Sequence, residues 1–274
     1  MNEAELLFTG ILNCDRISLY LNRESHLDFG KSKLISSVLK RRIIGEPIQY
    51  ILGETEFFGL EFRVNPDVFI PRPETEILVE TVLKIVSRLA PACPAVRRSP
   101  VCPLRILDLG TGSGCIVISL AKFLPHAKID ALDISKGALK IARENAEFHK
   151  VEINFIDTDL LTPHPSPLAP YDIIVSNPPY IPSAEIDKLQ PEIGYEPRMA
   201  LDGGSDGLDF YRRIISNSPY YLKENGFLIM EMGFNQKEAI KNIFQNSGNF
   251  EIVEIAKDYH NIDRVIVTQV RKDG

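Results

Sequence analysis

The sequence predicts an α/β protein, in which a small all-helical N-terminal domain and a β-hairpin linker precede a seven-stranded, mainly parallel sheet. Three observations support this fold class. The chain has 274 residues, of which 44% are hydrophobic, so it can bury a sizeable core. Apolar residues recur at helical spacing up to about Pro47. From Arg105 onwards, short apolar runs alternate with helix-length segments, as expected for strands connected by helices.

Residues 1–50 are predicted to form the helical N-terminal domain. Residues 51–73 follow as the predicted β-hairpin linker, because the short aromatic runs Tyr50–Gly53 and Glu56–Val64 are bounded by turn residues. The helical pattern of the first segment is carried by Leu6, Leu7, Ile11, Ile17, Leu19, Tyr20, Leu34, Ile35, Val38 and Leu39.

Residues 74–274 are predicted to form the larger domain. A period near 3.6 predicts an amphipathic helix over Glu74–Ala90, and the prolines of Pro91–Pro103 indicate a surface loop. Segments such as Lys136–Phe148 and Leu208–Leu222 are long enough for helices, so the first five strands should be parallel. A short turn separates the last two strands, so the final strand should be antiparallel to its neighbour. The predicted strands are Arg105–Leu109, Lys128–Asp133, Ile153–Asp157, Asp172–Ser176, Phe227–Met232, Glu251–Ala256 and Arg264–Val270.

Charge and composition argue against several classes of protein. The net charge is -6, which does not fit a broad basic surface for gripping duplex DNA. Residues 1–5 are acidic where a signal peptide would be basic, and no apolar run approaches the ~20 residues that span a bilayer. We therefore expect a cytoplasmic protein without a membrane partner. The four cysteines form no C-x-x-C pair, so no metal site is expected.

A glycine-rich loop follows the first predicted strand of the sheet and opens the predicted helix Cys115–Leu124. Glycines let a backbone turn tightly and approach a ligand, and the helix N-terminus supplies free N–H donors. A dinucleotide-binding loop would have glycine or alanine at the position of Cys115, so a dehydrogenase is not indicated. The candidate cofactor-binding residues of this loop are Gly110, Thr111, Gly112, Ser113 and Gly114.

Asp133 stands at the end of the second predicted strand of the sheet. A carboxylate at that position can accept hydrogen bonds from two ribose hydroxyls, which any adenosine ligand presents. The structural alternative is that Asp133 caps the helix that begins near Ser135. Asp133 is therefore a second candidate for cofactor binding.

The run Asn177-Pro178-Pro179-Tyr180 follows the fourth predicted strand of the sheet and carries the chemistry. The Asn177 side-chain carbonyl and the Pro178 backbone carbonyl can each accept one N–H of a planar NH₂ group. Pro179 stiffens the preceding peptide, and Tyr180 offers an aromatic face. Alignment of this nitrogen behind the methyl group of a sulfonium can lower the activation barrier by up to roughly 7–11 kcal/mol. These four candidate catalytic residues predict methylation of a planar nitrogen by S-adenosylmethionine, while a merely stiff loop is the structural alternative.

Taken together, the motifs resemble the HemK family, the protein-(glutamine-N5) methyltransferases that modify peptide chain release factors. The resemblance covers nearly the whole chain, and the combination of motifs is far more specific than any one of them. The matching segments are Gly45–Gly53, Phe57–Gly59, Pro71–Glu76, Asp108–Gly114, Asn177–Tyr180, Tyr195–Leu201, Gly203–Gly204 and Asp206–Leu208.

This resemblance implies a Rossmann-like, S-adenosylmethionine-dependent methyltransferase whose substrate is the glutamine of the Gly-Gly-Gln motif in class 1 release factors. In such enzymes the positions matching Gly110–Gly114, Asp133 and Asn177 contact the cofactor. The positions matching Asn177 and Pro178 also hold the glutamine amide. Leu160 occupies a cofactor-site position where members often carry an aromatic residue. A monomer without direct contact to nucleic acid is expected.

Three alternatives stay open at this level. An adenine-N6 methyltransferase acting on DNA or RNA presents the same exocyclic amino group to the same four residues, although it would have to flip its base and usually carries a basic region. A binding subunit could keep the fold without catalysis. Within the main interpretation, Arg72 could have a structural role, face an acidic partner or contact the cofactor carboxylate.

Overall fold

The first three N-terminal helices each begin at a side chain that accepts a backbone N–H. The computed structural model describes residues 2–22, 26–89, 103–159 and 170–271. The caps are Asn2, Asp15 and Asp28, and Asn2 forms a capping box with Glu5. Local sequence therefore sets where these helices start. The helices of this part are α1 (Glu3–Leu12), α2 (Arg16–Leu21), α3 (Phe29–Ile43) and α4 (Ile48–Leu52).

A two-stranded hairpin follows α4, as predicted. Strands β1 (Glu54–Phe57) and β2 (Leu60–Arg63) pair antiparallel. The turn residues Phe58 and Gly59 have φ values of 53° and 70°, the signature of a type I′ turn that matches the twist of hairpin strands. The grouping of Tyr50–Leu52 with the hairpin was wrong, because these residues close helix α4, whose buried Tyr50 packs inward.

The larger part of the chain alternates strands and helices. It begins with a 3₁₀ turn at Pro73–Thr75 that leads directly into α5. The remaining elements are α5 (Glu76–Leu89), β3 (Arg105–Leu109), α6 (Cys115–Phe123), β4 (Lys128–Asp133), α7 (Lys136–His149), β5 (Asn154–Asp157), β6 (Tyr171–Ser176), α8 (Ser183–Ile186), α9 (Asp209–Asn217), β7 (Leu222–Glu231), α10 (Lys237–Ser247), β8 (Phe250–Lys257) and β9 (Asp263–Val270).

Strands β3 to β9 form one sheet with the order β5-β4-β3-β6-β7-β9-β8, so the predicted seven-stranded sheet is confirmed for the described residues. The first five strands of this sheet pair in parallel and β9 is antiparallel to β8, as expected. Strand β9 also pairs antiparallel with β7, which was not predicted. The chain moves outward from β3 to β4 and β5, and then returns to place β6 on the other side of β3. This reversal creates a crevice at the carboxyl ends of β3 and β6.

The predicted helix Leu208–Leu222 was wrong in its second half. Helix α9 ends at Asn217, a 3₁₀ turn covers Ser218–Tyr220, and Leu222 is the first residue of β7. Pro219 explains the end of the helix, because proline has no N–H and clashes with the preceding turn. Helix α10 was not predicted at all. The segments 91–102 and 160–169, which contain most of the predicted proline-rich loop and Leu160, lie outside the described residues.

Both faces of the sheet are covered, which explains why its strands are nearly all apolar. On one face, α5, α6 and the hairpin residues Phe57 and Phe62 pack against the strands. On the other face, α9 and α10 contribute Tyr211 and Phe244. No helix among the described residues is both long and apolar enough to cross a membrane.

The helical N-terminal part contacts the larger part through Arg42 on α3. Arg42 forms ion pairs with Glu3 of α1 and, at 3.0 Å, with Glu192 in a 3₁₀ turn between β6 and β7. The hydroxyl of Tyr195, in the same turn, donates to the backbone carbonyl of Ile44 at 3.1 Å. These contacts place the exposed end of α3 on the same side of the protein as the loops that follow β6.

Phe244 tests the packing of the second face. It is 1% exposed and meets the ring of Phe250 edge to face, with the ring centroids 5.5 Å apart. We expect Phe244→Ala to lower the free energy of unfolding by about 3–5 kcal/mol, because it leaves a cavity. The exposed Phe234 is the control, and its change to alanine should alter that free energy by less than about 0.5 kcal/mol. Urea unfolding measures both, and equal losses would contradict the packing described here.

Candidate active site at the carboxyl edge of the sheet

A cavity of about 460 Å³ opens at the carboxyl ends of β3, β4 and β6. Its size suits a cofactor-sized ligand. Nine of the candidate residues from the sequence line it, so the fold brings them together. They are Gly110, Thr111, Gly112, Ser113, Asp133, Asn177, Pro178, Pro179 and Tyr180. Of the two other candidates, Gly114 does not line the cavity, and Leu160 lies outside the described residues.

The glycine loop presents its backbone to the cavity. Gly110 and Gly112 have φ values of 74° and 55°, which side chains rarely adopt, and the space where a Cβ would stand is open at both. A ligand can therefore approach this backbone closely. Gly114 serves packing instead, because a Cβ there would lie 3.1 Å from Ile118 and 3.2 Å from Ala142.

Asp133 holds the glycine loop in place. Its carboxylate accepts the N–H of Gly112 at 2.8 Å and the N–H of Ser135 at 2.9 Å. The N-cap of α7 is Ser135, whose hydroxyl accepts from Ala138, so the alternative that Asp133 caps this helix was wrong. Each carboxylate oxygen keeps further acceptor capacity beside the cavity. Burial raises the pKa of Asp133.

The segment Asn177–Tyr180 is fixed at both ends. Ahead of it, the hydroxyl of Ser176 donates to the carbonyl of Leu109 on β3 at 2.7 Å. At its far end, the Tyr180 carbonyl accepts from the side-chain amide of Gln236 at 2.9 Å. Gly207 passes so close that a Cβ there would lie 2.3 Å from the Tyr180 carbonyl oxygen. The backbone around the four candidate residues is therefore held before any ligand binds.

The side chain of Asn177 is oriented by Thr75. The Asn177 Nδ2 group donates to the Thr75 hydroxyl at 3.1 Å, which leaves the Asn177 Oδ1 atom as an acceptor. Thr75 is 3% exposed and belongs to the 3₁₀ turn before α5. Thr75 lies in the segment Pro71–Glu76, but it was not predicted to belong to the site. Burial raises the pKa of the neighbouring Tyr180 to about 12, so its phenol stays neutral.

Arg72 has an acidic partner within the chain. It forms an ion pair with Glu196, which is 5% exposed and also accepts the N–H of Ile70 at 3.1 Å. The Arg72 guanidinium lies over the ring of Phe69, with its carbon 4.7 Å from the ring centroid. Of the roles left open for Arg72, the structural ion pair is the one present here.

Helix α9 adds cavity residues that the sequence reasoning missed. Phe210 and Arg213, one helical turn apart, both line the cavity. Arg213 lies 3.6 Å from Asp159, just beyond β5. Their spacing places these two residues on one face of a predicted helix. That helix was interpreted only as a connection between strands.

Asp108 lies under the glycine loop and is fully buried. Among the described residues, neither of its carboxyl oxygens has a hydrogen-bond partner of regular geometry. Burial raises its pKa from 3.8 to about 7. Burial also raises the pKa of Cys115 to about 12, which keeps this thiol protonated and argues against a nucleophilic role.

Comparison with known proteins gives the following matches. Residues 1–53 match the family model described as PrmC N-terminal domain, and residues 99–192 match the Methyltransferase small domain. The release factor glutamine methyltransferase of Geobacter sulfurreducens is 43% identical over 265 residues, covering 96% of this chain and 87% of that protein. The protein of the same name from Thermodesulfovibrio yellowstonii is 40% identical over 277 residues, covering 99% and 93%. A solved methyltransferase from Pyrococcus furiosus shares the fold, with 17% identity, a TM-score of 0.55 and coverage of 85% and 98%.

The buried carboxyl of Asp108 predicts how stability depends on pH. A carboxyl whose pKa is raised by folding stabilises the fold below its unfolded pKa, and this contribution is lost as the pH rises through the folded pKa. For Asp108 the loss falls between 3.8 and about 7. The ligand-free protein should therefore melt at a lower temperature at pH 8 than at pH 5.

Asp108→Asn should reduce this difference in melting temperature. It should not abolish it, because the buried Glu231 has a pKa raised to about 7 in the same way. Asp187→Asn is the control, since the Asp187 side chain is 81% exposed, and it should leave the difference unchanged. Thermal unfolding at both pH values measures the effect, and an unchanged difference in Asp108→Asn would contradict the burial argument.

Proposed function

The chain belongs to the release factor glutamine methyltransferase family, and on that premise we propose that it methylates the side-chain amide nitrogen, N5, of the glutamine in the Gly-Gly-Gln motif of class 1 release factors. Its relatives carry that name and match it over nearly their whole length. The observation that carries the proposal is the position of Asn177–Tyr180, held beside the glycine loop with the Asn177 carbonyl free to accept.

S-adenosylmethionine is the cofactor that we assign to the cavity. The open space beside Gly110 and Gly112 and the spare acceptor capacity of Asp133 fit an adenosine whose ribose hydroxyls face that carboxylate. Ile134 and Phe210 also line the cavity and are proposed to contact the adenine. When bound, S-adenosylmethionine supplies an electrophilic methyl group on a sulfonium sulfur.

The protein's contribution to the reaction is orientation of the amide. An amide nitrogen is a poor nucleophile, because its lone pair is delocalised into the carbonyl group. In the proposal, the Asn177 Oδ1 atom and the Pro178 carbonyl each accept one N–H, which aims the nitrogen at the methyl group. The ring of Tyr180 supports the amide plane. Positioning of this kind is worth up to roughly 7–11 kcal/mol. As the nitrogen took the methyl group, the sulfur–methyl bond would break and one of the two amide protons would leave to water, so no strong base within the protein is required.

The N-terminal helices are proposed to recognise the release factor, with the hairpin of β1 and β2 in the linker to the catalytic residues 74–274. Large apolar side chains are exposed on these helices where a solvent-facing surface would normally be polar. The most exposed ones are Ile17, Leu21, Phe29, Ile43 and Ile44, which are 69–85% exposed. Ile43 and Ile44 lie next to the Arg42–Glu192 contact, on the side that faces the catalytic loops.

A transfer assay separates this function from the alternative. The protein is incubated with S-adenosylmethionine labelled in its methyl group and either an unmodified class 1 release factor or DNA. We expect label in the release factor, and none in a release factor whose motif glutamine is replaced by alanine. Label in DNA but not in the release factor would overturn the proposal in favour of an adenine-N6 methyltransferase.

Asn177→Ala tests the two-acceptor scheme. Loss of one acceptor should lower kcat by 100-fold or more, on the order of 3 kcal/mol, because the amide is no longer aligned. Cofactor affinity should change much less, since Asp133 and the glycine loop remain. Asn242→Ala, on the exposed face of α10, is the matched control. Steady-state kinetics and calorimetry measure the two quantities, and near-normal turnover in Asn177→Ala would contradict the scheme.

A double substitution of Ile43 and Ile44 by serine tests the docking surface. Removal of two exposed apolar anchors should raise KM for the release factor by roughly tenfold, on the order of 1 kcal/mol. The kcat at saturating substrate and the cofactor affinity should not change. Tyr220→Ser is the control, because Tyr220 is 83% exposed on the catalytic part. If KM is unchanged in the double variant, this surface does not bind the substrate.

A further inference from the structure

A buried acidic residue lies behind the Asn177–Thr75 contact. Glu231 is the last residue of β7 and is 2% exposed. In the parallel register of β6 and β7, Met230 lies opposite Ser176, so Glu231 lies at the level of Asn177. The Thr75 hydroxyl lowers the pKa of the Glu231 carboxyl. Among the described residues, the Glu231 Oε2 atom has no hydrogen-bond partner. Glu231 has no part in the amide orientation proposed above, whereas Thr75 already orients the Asn177 side chain.

The charges around Glu231 set its ionisation. Burial raises its pKa to about 7, the Thr75 hydroxyl and the charge of Arg264 lower it, and Glu74 raises it further. Arg264 itself pairs with Asp258 at 2.9 Å. Above pH 7 the carboxyl is therefore mostly ionised, in a site with few compensating partners. An ionised carboxylate can only accept hydrogen bonds.

An ionised Glu231 carboxylate determines the direction of the hydrogen bond between Thr75 and Asn177. The Thr75 hydroxyl has one proton, and a negative carboxylate close by favours the orientation of that hydroxyl in which the proton points toward the carboxylate. The oxygen of Thr75 must then accept from its other neighbour, which is the Asn177 Nδ2 group at 3.1 Å. The Asn177 Oδ1 atom is thereby the end of the side chain left for the substrate.

The opposite orientation would not support transfer. If Thr75 donated its proton to Asn177 Oδ1, the Asn177 NH₂ group would be the free end of the side chain. Two NH₂ groups would then face each other, and neither could accept. A threonine alone permits both orientations, because its hydroxyl is donor and acceptor.

We propose that Glu231 is a positioning residue that acts through the Thr75 hydroxyl to keep the Asn177 amide oxygen directed at the substrate nitrogen. The inference rests on the proposed amide methylation. It adds Glu231 to that site, and it gives this buried acid at the end of β7 a role in the direction of hydrogen bonding rather than in proton transfer.

The test compares variants of the full chain in the labelled methyl-transfer assay with a class 1 release factor. Thr75→Val keeps the shape of the side chain without the hydroxyl and should lower kcat about 30-fold. Thr75→Ser keeps the hydroxyl and should stay within about threefold of wild type. Glu231→Gln can donate as well as accept, so it should lower kcat about tenfold. Glu251→Gln, which changes an exposed acid on β8, is the control without effect.

The double variant Thr75→Val/Glu231→Gln separates action through Thr75 from independent effects. If Glu231 acts only through Thr75, the double variant should lose no more than Thr75→Val alone. The cofactor dissociation constant should remain within about threefold of wild type throughout. Additive losses near 300-fold, or a normal kcat in Thr75→Val, would overturn the proposal. A wild-type protein that does not methylate the release factor would instead contradict the proposed function.

The pH dependence of kcat tests the role of Glu231 even if the Thr75→Val variant does not fold. A protonated Glu231 can donate to Thr75 and allow the wrong orientation, so kcat of the wild type should fall as the pH drops below about 7. In Glu231→Gln this fall should be smaller, because the amide does not titrate, whereas the buried Asp108, whose pKa is also about 7, keeps its own contribution. The groups that interact with Glu231 are unchanged in that variant; they are Glu74, Thr75, Arg264, Tyr180, Tyr211 and Cys115. An identical acidic fall in Glu231→Gln would contradict the proposal.

Discussion

The parallel pairing of β3 and β6 is the constraint on which the site depends. Their register places Leu109 opposite Ser176, so the glycine loop and the segment Asn177–Tyr180 leave the sheet side by side. The hydrogen bond from the Ser176 hydroxyl to the Leu109 carbonyl holds the two ends together. Without this adjacency, a cofactor loop and an amide-binding loop that are more than sixty residues apart would not share one cavity.

Residues of neighbouring elements hold the glycine loop and the segment Asn177–Tyr180 in position at this edge of the sheet. Asp133 accepts from the Gly112 N–H on one side, and Gln236 donates to the Tyr180 carbonyl on the other. Gly207 allows its backbone to pass against Tyr180, where any side chain would collide. Such preorganisation matters for a reaction that relies on orientation rather than on a strong base, because misalignment costs rate directly.

Much of the fold could be predicted, because strands buried on both faces leave long apolar runs in the sequence. The two loops of the site also carry local motifs. The missed features depend on contacts distant in sequence, as in the bond between Asn177 and Thr75, which are 102 residues apart. The hairpin was predicted without the position of its turn, because Phe58 adopts a positive φ that is usually found at asparagine or glycine. The end of α9 was missed because the apolar period continues beyond it, whereas Pro219 ends the helix.

The central claim is that the oxygens of Asn177 and Pro178 together hold the substrate amide. The most direct measurement is a crystal structure of the protein with S-adenosylhomocysteine and a glutamine-containing peptide from the release factor motif. We predict that the glutamine amide nitrogen lies about 2.9 Å from both oxygens, with the Asn177 Nδ2 group still bonded to Thr75. A glutamine amide bound elsewhere, or an Asn177 side chain with its oxygen toward Thr75, would contradict the account.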